Sequence, residues 1–303
     1  MVLAAACSPD GIDTSFAQET VEEEPQDPVV VTVTTTRVAY VADSRIDCGI
    51  SSLDYFIYST DGTESLEEHK RLTFEENGIV EENSGQSSKG TEQASKQGHF
   101  EVCTASLSPR TVVAIANCPR AFNLDALDRM DSMELLSYYI ADDDPSNPVL
   151  SASATLQPGT DMLLKLTPLM CRVNLEAVSN GMYGYELLEE PRVRLCDAST
   201  GARLLQLEDF RPAEVLEAGE WTELPCDVGF YTQHPGLSLF CYPNDTPETT
   251  LGSPHTSMEL NCKIKGVECS FPITLPPLPR NSSTNVEILI NGPDEYNCNV
   301  YQN

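Results

Sequence analysis

The sequence predicts a mostly-β protein built as two β-sandwich domains, with one short helix in the N-terminal domain. Three observations predict it. β-Branched and apolar runs bounded by turn residues recur along the chain, beginning with residues 29–36 (VVVTVTTT). Beyond residue 150 such runs follow one another closely, with interruptions such as Leu275-Pro276-Pro277-Leu278-Pro279 that limit helices. Only residues 124–140 place apolar side chains at mostly helical spacing. A chain of 303 residues, 40% hydrophobic, is long and apolar enough for about two packed domains.

The elements follow in order. Residues 1–28 read as a processing remnant and an acidic tether, because Glu22-Glu23-Glu24-Pro25-Gln26-Asp27-Pro28 is polar and without period. Residues 29–36 form the first strand because every side chain is β-branched. Residues 50–58 (ISSLDYFIY) form a second strand. Residues 76–98 are polar and rich in Gly and Ser, which predicts a long surface loop. Phe100-Glu101-Val102-Cys103-Thr104 alternates and residues 111–116 (TVVAIA) are nearly all apolar, so both read as strands. Leu124, Leu127, Leu135 and Tyr139 line the helix. Asp142-Asp143-Asp144-Pro145-Ser146-Asn147-Pro148 reads as a solvated turn cluster and marks the domain boundary. The first sandwich then covers 29–148 and the second 149–303. The second carries strands at 149–156, 161–166, 170–178, 192–196, 237–242, 257–264 and 285–290.

Composition excludes several functions. Lys and Arg number 18 against 47 acids, a net charge of −29, which opposes nucleic-acid binding. The sequence has no Gly-rich phosphate loop, no G-x-S-x-G elbow and no H-E-x-x-H, and we expect neither a cofactor nor catalysis. His99 precedes Cys103 and His255 precedes Cys262, but nothing else supports a thiol nucleophile. The three aspartates are adjacent rather than alternating, unlike a calcium loop. Trp221 is the only Trp, so no aromatic platform is visible and a core or edge place is expected. Cysteines lack the close C-x-x-C pairing of a structural zinc site. Eleven are present, and with Cys7 set aside the remaining ten permit up to five disulfides, of unassignable pairing.

Leu3-Ala4-Ala5-Ala6-Cys7 has the small residues that a lipoprotein signal peptidase cuts before, leaving Cys7 to take a lipid. A secretory signal needs a basic start and an apolar core, and only Met1, Val2 and Leu3 precede the small residues. The alternative is an ordinary cysteine near the terminus.

Several segments together resemble the FimA-like fimbrillin superfamily of Bacteroidia. They are Cys7 with its acidic tether, VVVTVTTTR ending at Arg37, ISSLDYFIYSTDG (50–62), TVVAIANCP (111–119) and the helix with its SMELL. LKLTPLMCRVNLEAVS (164–179), LFCYPNDT (239–246) and FPITLPPLPRN (271–281) complete the set. The resemblance implies two transthyretin-like sandwiches and export as an outer-membrane lipoprotein on the cell surface. It implies that an arginine-specific protease removes the first strand, with Val29, Val31, Val33 and Thr35 along it. The vacated groove then takes a strand from another fimbrial subunit, by main-chain pairing. The candidate cleavage sites are Arg37 and Arg45, the first basic residues of the chain. Arg45 is favoured because Asp43 and Ser44 beside it suit a turn.

Residues 291–303 are polar, which argues against a long apolar donor strand and leans toward a tip or accessory subunit, with an anchor close behind. A monomeric surface lipoprotein binding glycan or host protein is the competing reading, and a secreted enzyme a third. Aromatic residues clustered in loops would favour the second. The fimbrial reading requires residues 29–36 to lie in the N-terminal sheet over apolar residues.

Overall fold

The computed structural model describes residues 29–35, 49–75, 78–81, 97–102, 108–184, 186–205, 212–248 and 254–302. The first half contains β1 (Val29–Thr35), β2 (Ser52–Ser59), β3 (Leu66–Glu75), β4 (Gly78–Glu81), β5 (Gln97–Val102) and β6 (Arg110–Ala116). It continues with α1 (Met130–Leu135), β7 (Ser137–Tyr139), β8 (Leu150–Leu156) and β9 (Met162–Pro168). The second half contains β10 (Cys171–Asn180), β11 (Glu189–Arg203), β12 (Glu214–Ala218), β13 (Thr222–Glu223) and β14 (Thr232–Gln233). Next come β15 (Leu237–Cys241), β16 (Ser257–Ile264), β17 (Val267–Thr274), β18 (Ser283–Gly292) and β19 (Glu295–Gln302). The described residues are mostly β with one short α-helix, as the sequence predicts.

Eight strands pair in the order β4-β3-β2-β6-β8-β9-β1-β5. β8 and β9 pair over only two residues, Leu150 with Pro168 and Ser151 with Thr167, so the sheet turns a corner there. Both parts bury their apolar faces in one core, which includes Leu53, Ile115, Val31, Val33 and Leu166. β2 is buried along its whole length. Residues 117–130 help to cover it: Phe122 meets the Phe56 ring edge-on, and the Tyr58 hydroxyl donates to the Leu127 carbonyl. The fully buried Asp54 is compensated by His69 at 3.1 Å and Arg71 at 3.2 Å.

A second core lies between two further sheets. One holds β10, β14, β15, β18 and β19; the other holds β11, β12, β13, β16, β17 and β7. The β16–β17 hairpin turns through Lys265 and Gly266, both at positive φ, which matches the twist of a two-residue turn. Pro272 sits on β17, the edge of its sheet, where a missing donor is tolerated and edge pairing is blunted.

Several expectations need correction. The boundary is not at 148. β8 and β9 belong to the first sheet, and Leu164, Leu166, Leu169 and Met170 fill the first core. The change of sheet falls between β9 and β10. The halves also interlock, because β7 pairs with β11 and Tyr242 enters the first core. The expected helix at 124–140 shrinks to α1 with short 3-10 turns at either side. Leu124, Leu135 and Tyr139 are exposed, while Leu127, Met130, Met133 and Tyr138 make the buried contacts. The predicted loop at 76–98 contains β4, which pairs with β3, and the start of β5. The eight described cysteines are all unpaired thiols. Cys118, Cys171, Cys241, Cys262 and Cys269 serve as small buried residues instead. Cys48 and Cys103 lie outside the described residues.

The 142–148 cluster is a turn, but Asp143 is not solvated. It accepts from Val149 N at 3.0 Å, Asp144 N at 3.0 Å and the Tyr242 hydroxyl at 2.9 Å. Burial outweighs these donors and pushes its pKa up to about 6. An unfolded aspartate titrates near pH ~3.9, so between those values the folded protein holds the extra proton. Its contribution to stability is therefore full below pH ~4 and is lost as pH rises through 6. Urea unfolding of the wild type and Asp143→Asn should show this. The difference between them should shift against the wild type by about 3 kcal/mol from acid to neutral pH. A difference that ignores pH would contradict the assignment.

Trp221 lies outside both cores, on the solvent side of β11. The guanidinium groups of Arg192, at 4.8 Å, and Arg194, at 4.2 Å, both lie over its ring. Arg194 in turn pairs with Glu259 at 2.7 Å. Such stacks contribute about 0.5–1 kcal/mol per cation at an exposed site. Trp221→Ala should cost roughly 1–2 kcal/mol by the same measure, read as a lower urea midpoint by far-UV circular dichroism.

Candidate functional site

The candidate site is the slot that β1 occupies. Alternating residues on a strand point to opposite faces. Val31 and Val33 are accordingly fully buried, while Thr32 and Thr34 are half-buried. β1 does not pair with β2, its neighbour in sequence. It lies between two later strands, parallel to β9 and antiparallel to β5. Val31 stands opposite Met162 on one side and Phe100 on the other; Val33 stands opposite Leu164 and Gly98. The register reaches Val29 against Val102 at one end and Thr35 against Leu166 at the other. Asp161 holds the entry by accepting from Val30 N at 3.0 Å.

The β9 wall of the slot is fixed from the second half of the chain. Arg280 follows β17 and reaches back across the junction. Its Nε donates to the Pro168 carbonyl at 2.9 Å. Nη2 donates to the Ser151 carbonyl at 3.0 Å, to Ser151 Oγ at 2.9 Å and to the Thr167 carbonyl. These acceptors are neutral, so burial dominates and lowers the guanidinium pKa to about 10. Arg280 therefore ties β8 and β9 together where their own ladder gives out.

Among the predicted site residues, the structure brings Val29, Val31, Val33 and Thr35 together in one strand over the first core. Cys7, Arg37 and Arg45 lie outside the described residues. Of the cysteine–histidine pairs, His99 with Cys103 cannot be placed because Cys103 lies outside the described residues, and His255 and Cys262 do not meet. His255 Nδ1 faces the Thr246 carbonyl at 2.8 Å, and Cys262 lies in the second core with its thiol pushed up to about 12 by burial. Neither Asp161 nor Arg280 is singled out by the sequence. Each acts through backbone groups over a hundred positions away, and no local pattern encodes that.

No family model matches the chain, and no curated protein matches it. Solved structures do. A protein ascribed to cell adhesion, from Parabacteroides distasonis, superposes with a TM-score of 0.67 at 13% identity, over 91% of this chain and 96% of its own. A fimbrilin from Porphyromonas gingivalis gives 0.60 at 12% identity, over 92% and 97%. The tip fimbrial protein Mfa3 from the same species, truncated at its C-terminus, gives 0.52 at 13%, over 91% and 99%. At such identities the likeness is one of fold: this chain has the fold of fimbrilins and cell adhesion proteins of Bacteroidia.

Proposed function

We propose that this chain is a non-enzymatic subunit of a bacterial surface fimbrium, a member of the FimA-like fimbrillin superfamily. It is exported as a lipoprotein through Cys7 and assembled by strand exchange. The observation that carries this reading is the placement of β1. A strand that lies between two sequence-distant strands can leave without unthreading the chain, and its departure opens a slot lined by apolar residues. Cleavage after Arg45, or after Arg37, would release it, and a strand of a neighbouring subunit would replace it. The thiols support a role without catalysis. Burial raises Cys171 and Cys262 to about 12 and Cys298 to about 11, away from the thiolate that nucleophilic chemistry needs.

The direct test is intact mass and N-terminal sequencing of the protein from purified surface appendages. A chain starting at Val38 or Ile46 is the expected result. A retained, acylated Cys7 in every molecule would overturn strand removal and leave an anchor or a free-standing lipoprotein.

One observation favours the second reading, a surface lipoprotein that binds host protein or glycan as a monomer. Tyr183 is fully exposed, and Phe230 and Tyr231 are each more than half exposed, all in loops of the second half. Absence of the chain from appendage fractions would select that reading.

A further inference from the structure

Away from the β1 slot, a polar groove of about 530 Å³ opens on the second half of the chain. That size lies within the roughly 300–1,000 Å³ range of small-molecule sites. Its floor is a row of residues that face one another across four adjacent strands. Ser238 of β15 stands opposite Asn174 of β10, Asn174 opposite Asn285 of β18, and Asn285 opposite Tyr301 of β19. Paired residues share a sheet face. Val173, Leu175 and Val286 point into the second core, so this row points away from it. Arg172 and Glu176 flank Asn174 on the same strand. Gly236 forms the rim at positive φ, with nothing within 4 Å of the place a Cβ would take, which keeps the mouth open.

The floor is preorganised. Ser238 Oγ donates to Asn174 Oδ1 at 3.3 Å. Asn174 Nδ2 donates to Glu176 Oε2 at 2.5 Å and to Asn285 Oδ1 at 3.4 Å. Arg172 is steadied by Ser283 Oγ, at 3.1 Å from Nε and 2.8 Å from Nη2. Asn285 lines the groove while its residue is only 5% exposed, so its carboxamide is held in place by the neighbouring strands.

The charges select the ligand. A phosphate or carboxylate would meet Glu176, and a metal ion would meet Arg172. Neighbouring hydroxyls, by contrast, need a donor and an acceptor side by side, which carboxamides, a guanidinium and a carboxylate supply together. A pyranose ring also presents a C–H face that packs on an aromatic ring, and Tyr301 stands at the end of the row, 38% exposed. We infer that this groove binds a neutral saccharide, with the Asn174 and Asn285 amides reading its hydroxyls and Tyr301 packing on its ring. The inference stands apart from the fimbrial reading, because it uses only β10, β15, β18 and β19 and leaves β1 untouched.

Saturation-transfer difference NMR on the full chain tests it. The probes are mannose, galactose, N-acetylglucosamine and lactose at millimolar concentration, with N-acetylneuraminic acid and inorganic phosphate as charged comparisons. At least one neutral sugar should bind. Asn285→Ala and Tyr301→Ala should each weaken it roughly tenfold, the scale of one lost hydrogen bond or packing contact. Tyr301→Ala removes a partly exposed side chain and should keep the thermal midpoint, so its result stands if Asn285→Ala misfolds. Trp221→Phe, on the other sheet, should leave binding unchanged. Binding of the charged probes alone, no binding at all, or binding that survives both groove substitutions would each overturn the inference.

Discussion

A chain from which β1 has been cut, with nothing put in its place, will lose its folded first half. Two fully buried valines leave with the strand, and each is worth about 1.5–3 kcal/mol of apolar burial. The sum, about 3–6 kcal/mol, rivals the whole stability of an ordinary domain, about 5–15 kcal/mol. Two hydrogen-bonded ladders go as well: β9 becomes an open edge, and β5, which pairs only with β1 among the described strands, loses its partner. Leu164 and Leu166 are then laid bare. The expected outcome of cleavage in dilute solution is aggregation or loss of the near-ultraviolet dichroism of the first core. A synthetic peptide with the sequence of Val29–Thr35, added in trans, should restore a soluble monomer. Val33→Asp in the intact chain should approach the same defect, since it buries an unpaired charge. A cut, peptide-free monomer that melts at the wild-type temperature would show that the slot has little energetic weight.

Arg280→Met should be the most damaging single substitution at the junction of the halves. Methionine preserves much of the buried volume but supplies no donor. The carbonyls of Ser151, Thr167 and Pro168 all lose a partner, at about 1–3 kcal/mol for each buried group left unsatisfied. Relaxation will recover part of that, and a net loss of about 3–5 kcal/mol is expected. Arg280→Lys should fall between, because an ammonium donates at a point and cannot span three carbonyls. Chemical denaturation measures all three proteins. Equal midpoints would show that water satisfies the carbonyls as well as the guanidinium does.

Much of this architecture is written locally. The β-branched run of β1 and the apolar runs of β2 and β6 announce strands by composition alone, and the alternation of Val31 and Val33 announces which face is buried. What alternation does not encode is which core that face joins. Leu164 and Leu166 read as a half-buried strand in either half, and only their pairing partners place β9 in the first. Segment 124–140 misleads for a related reason. Leu124, Leu135 and Tyr139 fit a helical stripe, yet the core takes Met130, Met133 and Tyr138 and the chain breaks helix to pair β7 with β11. β17 hides behind Pro272 and its exposed acid, although Cys269, Phe271 and Ile273 alternate into the core. β19 has little apolar pattern because little of it is buried; its hairpin with β18 positions it. Asp143 looks solvated because the group that covers it, Tyr242, is 99 residues away.

The parallel pairing of β1 with β9 has a mechanical meaning. A strand peeled sideways from a sheet breaks its bonds one after another, each under the full load. Tension along β1 instead runs parallel to both flanking strands and strains the rungs of both ladders at once, in shear. The load then passes into β9 and on into the second half through the chain itself, the β7–β11 pairing and the Arg280 guanidinium. Force on this strand is thus shared by many weak bonds, and the buried Arg280 is one of several ties that carry it between the halves. In a single-molecule pulling experiment, traction along β1 should rupture at a far higher force than the same strand unzipped from one end.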